Sequence, residues 1–394
     1  MRGALSWPFL RLYVLTLLYF SANSILNVII PLKGESLGAT NTTIGIIMGA
    51  YLATTMLLRP WAGQVIQKYG PVKMLRIVLI VNGFALLLYT FTGLGGYFAA
   101  RVLQGACTAF FSMALQLGII DALPDKDRSQ GISMYSLCAS MPGIFGPLLA
   151  VGIWQAGDMN SFTAAMIAIA IVTGAAGYSA RMKGDAGTSA GKKEQGTAVF
   201  KSFGQLVKNP HLFKCSILML IASVILGAST TFIPLYAAQI ESGNAAVYLM
   251  LQAGVVVLAR FVLRKKIPSD GKWHSLFVMG IMVILTAAAQ SVSFSLTGGA
   301  AFFYAGAVLM GLAQALLYPT LTTYLSFVLP QTDRNVLMGL FIATADLGVA
   351  LGSVVMGPIA DISSYSLMYM ICAMLGAAMI LFAYDRRTVF AGSR

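Results

Sequence analysis

Apolar stretches of about twenty residues recur along this chain from one end to the other, separated by short polar segments. A helix rising about 1.5 Å per residue needs roughly that length to cross the roughly 30 Å hydrocarbon core of a bilayer. Of the 394 residues, 58% are hydrophobic and only 10% charged, and the mean hydropathy is +0.80. A soluble protein of this length could not hide so much apolar surface. The expected fold class is an all-α membrane protein. Its transmembrane helices, about twelve, are expected at roughly 9–31, 43–64, 74–93, 98–121, 131–155, 161–180, 212–238, 245–263, 274–294, 300–328, 335–358 and 365–384.

The chain also repeats itself. LPDKDR at Leu123–Arg128 returns as LPQTDR at Leu329–Arg334, and at the same spacing Gly105 faces Gly311, Ala109 faces Ala315 and Gly146 faces Gly352. Pro31-Leu32, at the outer end of the first span, corresponds to Pro234-Leu235 at the end of the seventh. Matching punctuation of this kind points to two pseudo-symmetric six-helix halves, 1–180 and 209–394, joined by a polar linker at 181–208. Duplicated membrane folds place their substrate site between the halves, near the bilayer midplane.

A net charge of +13 could suggest nucleic acid, but the cations form no patch interleaved with aromatics. They follow the loops instead. With the N-terminus cytoplasmic, all of the 26 Lys and Arg except Lys33 and Arg101 fall toward the cytoplasmic side. This is the positive-inside pattern, with both termini cytoplasmic. No nucleic-acid partner is expected. The first apolar run continues past Pro31 without a small-residue cleavage site, so it is expected to stay as the first membrane helix. Cys107, Cys138, Cys215 and Cys372 lie in apolar segments and form no CxxC, which predicts buried thiols. His211 and His274 belong to no metal-spaced cluster, so no metal site and no cofactor are expected. The chain lacks a phosphate-binding GxxxxGK loop, so transport must draw on an ion or substrate gradient rather than on ATP hydrolysis by this chain.

Three motifs carry a family resemblance. Between the second and third spans stands Arg59-Pro60-Trp61-Ala62-Gly63-Gln64-Val65-Ile66-Gln67-Lys68-Tyr69-Gly70-Pro71-Val72-Lys73. It resembles the gating loop of the major facilitator superfamily, in which Gly63 and Gly70 are expected to permit close helix contact and a tight turn. Gln67 stands where that family has Asp, and Pro71 where it has the first Arg after the second Gly. The resemblance makes Arg59, Gly63, Gln67, Lys68 and Gly70 the gating residues; the copy around Arg260–Lys272 is more degraded. The fourth span carries Arg101-Val102-Leu103-Gln104-Gly105, similar to another motif of the superfamily. The fifth carries Pro142-Gly143-Ile144-Phe145-Gly146-Pro147, similar to the signature of its drug/proton antiporter branch, with Ala150-Val151 in place of a terminal Gly pair. That signature implies export, from a kinked, closely packed helix at the interface between halves.

Read by themselves, Arg101, Gln104, Thr108, Ser112 and Gln116 recur every three or four residues and make a polar stripe on an apolar helix. Facing lipid, it would be costly, so it faces either a cavity or a neighbouring helix. Further candidates are Asn23 and Asn27 on the first span, Tyr51 and Thr55 on the second, and Thr230 and Tyr236 on the seventh. Tyr248 and Gln252 share a face of the eighth span, and Gln314 and Tyr318 a face of the tenth. Gln314 is the repeat mate of Thr108. Asp346 is the acid at the centre of an apolar span, which suits a proton carrier.

A narrower resemblance rests on GALSWPFLRLYVLTLLYFSANSILNVIIPLKG, QLGIIDALPDKDRSQGISMYS and KKIPSDGKWHS. These stretches look like bacterial exporters of opine-type metallophores, the staphylopine type. This implies a plasma-membrane exporter, monomeric by the family's default, of a small anionic or zwitterionic multi-carboxylate chelator in exchange for protons. Arg101 would clamp a carboxylate, with Asn23, Asn27, Gln104, Thr108, Gln252, Gln314 and Tyr318 as polar contacts and Asp346 coupling protons. Two other readings stay open: a broad multidrug/proton antiporter, and a non-transporting sensor on the same fold.

Overall fold

The computed structural model describes residues 6–123, 125–157, 159–178, 209–263, 266–268, 270–330 and 334–384. The linker expected at 181–208 lies outside them. Among the described residues there is no strand, and twelve helical spans are long and apolar enough to cross a membrane. In chain order the helices are α1 (Trp7–Ser36), α2 (Asn41–Tyr69), α3 (Pro71–Phe91), α4 (Leu94–Ala122), α5 (Asp125–Ser140), α6 (Pro142–Gln155), α7 (Met159–Tyr178), α8 (Pro210–Tyr236), α9 (Ala245–Val262), α10 (Ser275–Ser293), the single turn α11 (Ser295–Gly298), α12 (Ala300–Val328), α13 (Arg334–Ile362) and α14 (Tyr365–Ala383).

The expected boundaries shift where backbone chemistry intervenes. α2 runs on to Tyr69 and α3 starts at Pro71, so the expected polar loop shrinks to Gly70. Gly70 holds φ 82, a conformation that a Cβ disfavours, and Pro71 supplies the preset φ of a first helical position. The fifth span is two helices, α5 and α6, broken at Met141 ahead of Pro142, which has no N–H to continue the ladder. α5 already begins at Asp125, inside the repeated LPDKDR segment. Leu123 and Leu329 end α4 and α12 in the same extended conformation, ψ 143 and 140. Each precedes a proline, which pushes its backbone out of the helical region.

The chain divides into two compact units, 1–34 with 50–196, and 35–49 with 197–394. The departure from the halves expected at 1–180 and 209–394 is the start of α2, which folds with the second unit. There, Asp361 in the last turn of α13 accepts hydrogen bonds from the Asn41 and Thr42 amides at 2.8 and 2.9 Å and from the Thr42 hydroxyl at 2.6 Å. The carboxylate satisfies orphan N–H groups of α2 and meets the positive end of its dipole. Gly45 and Gly49 then lie against the Ser353 and Ala350 carbonyls of α13.

Within each unit, glycines set how close the helices come, and the repeat is visible in their contacts. A Cβ on Gly105 of α4 would land on the Tyr51 carbonyl of α2, and one on Gly311 of α12 on the Gln252 carbonyl of α9. Gly146 of α6 lies against Ser24 of α1, and Gly352 of α13 against the Val224 carbonyl of α8. The close packing expected of the fifth-span signature is therefore with α1 of the same unit, where Ser24 also donates to the Pro142 carbonyl at 2.8 Å. By contrast, the close contact expected of Gly63 is not made: a Cβ there would meet only the Met113 methyl, at 4.0 Å. Gly105→Ala and Gly311→Ala should each lower stability by about 1–3 kcal/mol, the usual range for overpacking. Gly63→Ala should leave it unchanged or raised, because an interior helical glycine costs roughly 1 kcal/mol relative to alanine. Thermal unfolding of the three purified variants in one detergent checks this ranking.

Candidate functional site

The expected polar residues gather in two places, one in each unit. In the first unit they centre on Arg101, whose side chain is fully enclosed at 0% exposure. Its guanidinium donates to the Asn23 Oδ1 at 2.7 Å, to the Asn27 Oδ1 at 2.8 Å and, more weakly, to the Gln104 Oε1 at 3.5 Å. The Tyr51 ring lies 5.3 Å from the guanidinium carbon. Asn23 and Asn27 are one turn apart on α1, so a single planar fork on α4 reaches both.

Gln104 and Thr108 are knitted to α1, α2 and α3, whereas Gln116 is exposed. Tyr89 donates to Gln104 at 3.0 Å, while Tyr19 and Tyr51 each share a hydrogen bond with the Thr108 hydroxyl at 3.0 Å. Thr55 donates to the Gly105 carbonyl, and Ser112 bonds back to Thr108 of its own helix. Arg101, Gln104 and Thr108 of the stripe thus lie in one polar cluster with Asn23 and Asn27, bonded to neighbouring helices. Gln104 and Thr108 are nearly inaccessible within it, at 1% and 5% exposure. Sequence reading missed Tyr19 and Tyr89. Nothing but their hydroxyls distinguishes them from other apolar positions on α1 and α3.

Asn23 and Asn27 are only half-buried. An amide that turns its oxygen toward a cation turns its NH2 the other way. Arg101 therefore fixes the orientation of two amides and leaves their NH2 groups to donate elsewhere. The arrangement suits an acceptor-rich ligand such as a carboxylate, with the cation one layer behind.

In the second unit a cavity of about 240 Å³ opens between α8, α9, α10 and α12. Gln314 and Tyr318 line it, as expected, together with Arg260 and Ser223, which were not expected to share a site. Gln252 stands behind, its amide donating to the Gln314 Oε1 at 3.4 Å. The other described wall residues are apolar. The sequence did hold a signal for Arg260: it lies eight residues after Gln252, near the same helix face, and is the repeat mate of Arg59. Ser223 carried none.

The remaining expectations separate. Tyr236 is packed among Tyr365, Tyr369 and Phe303, and Tyr248 against Phe303, so both are core residues. Thr230 bonds back to Leu226. Asp346 is half-buried at mid-helix in α13 and does not line the cavity. Two residues on, Gly348 packs on α8, and two helical residues are about 200° apart, so Asp346 points away from α8. In the gating segment, Lys68 and Lys73 lie 5.2 and 5.8 Å from the Tyr69 ring, whereas the side chain of Gln67 lies outside the described residues. In the second-half copy Asp270 pairs with His274 at 2.8 Å, and that bond, with the Lys272 amide, holds its carboxyl below the usual range. No group of three or more metal-ligating side chains occurs among the described residues.

Comparison with known proteins gives this geometry its setting. Matches to the Major Facilitator Superfamily cover residues 12–271 and 269–392. The chain belongs to the Major Facilitator Superfamily. It is a multi-pass membrane protein of that superfamily. It is 52% identical over 388 residues to the staphylopine export protein of Staphylococcus aureus, covering 98% of each chain. A shorter likeness, 26% over 112 residues and 27% of each chain, is to multidrug resistance protein 2 of Bacillus subtilis. Among solved structures, the nucleoside transporter NupG superposes with a TM-score of 0.74 at 13% identity, over 97% of this chain and 100% of the other. A bacterial homologue of the human lysosomal transporter Spinster gives 0.70 at 15% identity, over 97% and 95%. At these identities the structural likeness establishes the fold alone.

The Arg101 network predicts an asymmetry in stability. Arg101→Leu strands two amide oxygens and should cost about 1–3 kcal/mol, whereas removing both sides of a polar contact is closer to neutral. The triple variant Arg101→Leu, Asn23→Leu, Asn27→Leu should therefore unfold at a higher temperature than Arg101→Leu alone. Equal or lower stability of the triple variant would show that these bonds do not carry the cluster.

Proposed function

We propose that this protein exports a small, multi-carboxylate metal chelator of the opine type across the bacterial plasma membrane by alternating access, in exchange for protons. The observation that carries the reading is the 52% identity, sustained over 98% of both chains, to a staphylopine export protein. A likeness of that depth and extent leaves no room for a rebuilt fold or an exchanged half.

The geometry is in keeping with such a cargo. Each unit offers a cation with neutral hydrogen-bonding groups: Arg101 with Asn23, Asn27, Gln104 and Thr108 in one, and Arg260 with Gln314 and Tyr318 in the other. Several carboxylates want dispersed donors and fixed positive charge, not an aromatic sac. Asn23 and Asn27 are the proposed first-unit contacts, with Arg101 orienting them, and Gln252, Gln314 and Tyr318 the second-unit ones. A multidrug/proton antiporter is the second reading, favoured by the local likeness to multidrug resistance protein 2. A cationic drug would want acids where these sites present amides, hydroxyls and guanidinium.

Mass spectrometry of medium and cell extract tests the proposal, in a strain that makes an opine metallophore, with and without this gene. Loss of the metallophore outside and its accumulation inside is the expected result. Unchanged secretion would sink the reading and favour multidrug efflux.

Asp346 is the proposed proton carrier, since an acid at mid-span is rare and a carboxylate can take up and release a proton. In proteoliposomes, Asp346→Asn should abolish accumulation driven by a pH gradient yet retain substrate exchange at equal pH. Accumulation at the native rate would assign the coupling elsewhere. Both termini are proposed to be cytoplasmic, a reading supported by the positive-inside charge distribution. A green fluorescent protein fused after Arg394 should then fluoresce; a dark fusion with full membrane expression would reverse the orientation.

A further inference from the structure

Arg260 has no role in the site expected from the sequence, and its position in the fold is not that of an ordinary interfacial cation. An arginine near the C-terminal end of a membrane helix usually runs its side chain outward, to the headgroups. Arg260 sits two residues before the end of α9. Its side chain nevertheless lines the same cavity as Gln314, the middle residue of α12, and Tyr318, which stands ten residues, or about 15 Å, inside the end of that helix. Helical side chains lean toward the N-terminus, which carries this one inward along α9.

Three further observations describe what the cavity wants. Arg260 is exposed, yet it makes no hydrogen bond or ion pair with another described residue, and no acid lines the cavity among those residues. Ser223 is 2% exposed, lines the same cavity, and its hydroxyl has no hydrogen-bond partner among the described residues. Buried hydroxyls are nearly always bonded, so an orphan beside an empty space marks a place for a ligand atom. The third is the Gln314 amide: its oxygen is engaged by Gln252, so its NH2 is the group left to donate. A guanidinium, a hydroxyl, an amide NH2 and the Tyr318 hydroxyl make a set rich in donors. Its complement is an anion with several acceptor oxygens.

Size narrows the choice. At about 240 Å³, the cavity is smaller than the roughly 300–1,000 Å³ of sites that enclose a drug-sized molecule. It has room for one arm of a larger ligand. Its walls beyond the polar set, Leu285 and Met310 among them, are apolar and suit the methylene groups that join carboxylates in an aminopolycarboxylate.

We propose that Arg260, with Ser223, Gln314 and Tyr318, forms a subsite for one terminal carboxylate of an aminopolycarboxylate, with Arg260 as its charge-assisted clamp. The class of cargo rests on the exporter reading above; the subsite itself rests on the cavity. It gives the second unit a reachable cation, in contrast with the enclosed Arg101 of the first. A headgroup phosphate would share the chemistry and is separated from a carboxylate by the test.

The arginine reagent phenylglyoxal, applied to purified protein in detergent, provides that test, with modification of Arg260 read by peptide mass spectrometry. Nitrilotriacetate serves as the generic aminopolycarboxylate and staphylopine as the specific one. Nitrilotriacetate should slow modification of Arg260 while leaving Arg11 unaffected, and vesicles of phosphatidylglycerol should not reproduce the protection. Ser223→Ala and Gln314→Ala should each raise the half-protecting concentration, and Gln314→Ala by roughly tenfold, the usual scale for one lost charge-assisted bond. Protection by nitrilotriacetate together with failure of the secretion assay would keep the subsite and remove only the metallophore reading. Absence of protection by either chelator, in protein with a native unfolding temperature, overturns the subsite. Protection by phosphatidylglycerol alone overturns it too, as a lipid contact.

Discussion

Within the hydrocarbon core no water is at hand to satisfy a peptide group, so every spanning segment must close its own hydrogen bonds as a helix. Helices so made have no hydrophobic reason to prefer one another over lipid, and they associate where small residues let their backbones approach. In this protein those points are glycines set against carbonyls or small side chains of a neighbour: Gly105 on Tyr51, Gly311 on Gln252, Gly146 on Ser24 and Gly352 on Val224. The rest of the structure hangs on these contacts. Gly105 brings Tyr51 beside Arg101 and Thr108, and Gly311 brings Gln252 within reach of Gln314 one turn along.

Because the contacts come in pairs, the two units share a frame, and what differs is what fills it. In the first unit the space around the fourth span is taken up by a cation and its amides, with tyrosine hydroxyls from α1, α2 and α3 closing the network. In the second the equivalent helices leave a cavity, and the cation that reaches it comes from α9 rather than from the mate of α4. A duplicated scaffold therefore yields two unlike polar sites.

Much of the fold was legible because its signals are long. Twelve apolar stretches, a repeated glycine pattern and a lopsided charge distribution each average over many residues and survive local error. The misses lie where one or two residues decide. The expected second loop collapsed to Gly70 because the φ of that glycine and the ring of Pro71 join two helices in a single step. The fifth span broke at Met141 because Pro142 withholds one N–H. The start of α2 joined the second unit because Asp361, fully 319 residues beyond Thr42, caps it.

The candidate site divides along the same line. The sequence by itself determined that the chain is a duplicated twelve-helix membrane protein, that Arg101, Gln104 and Thr108 share a helix face, and that Asp346 sits at mid-span. Helical periodicity and the length of an apolar run fix such things without any partner. Only the tertiary structure decided that Arg101 is enclosed by Asn23 and Asn27 while Arg260 opens on a cavity with Ser223 and Gln314. Whether a polar side chain is satisfied or left reaching for a ligand depends on which helices stand beside it and how closely. That distance is set by glycine contacts between residues far apart in the chain, and no local pattern records it.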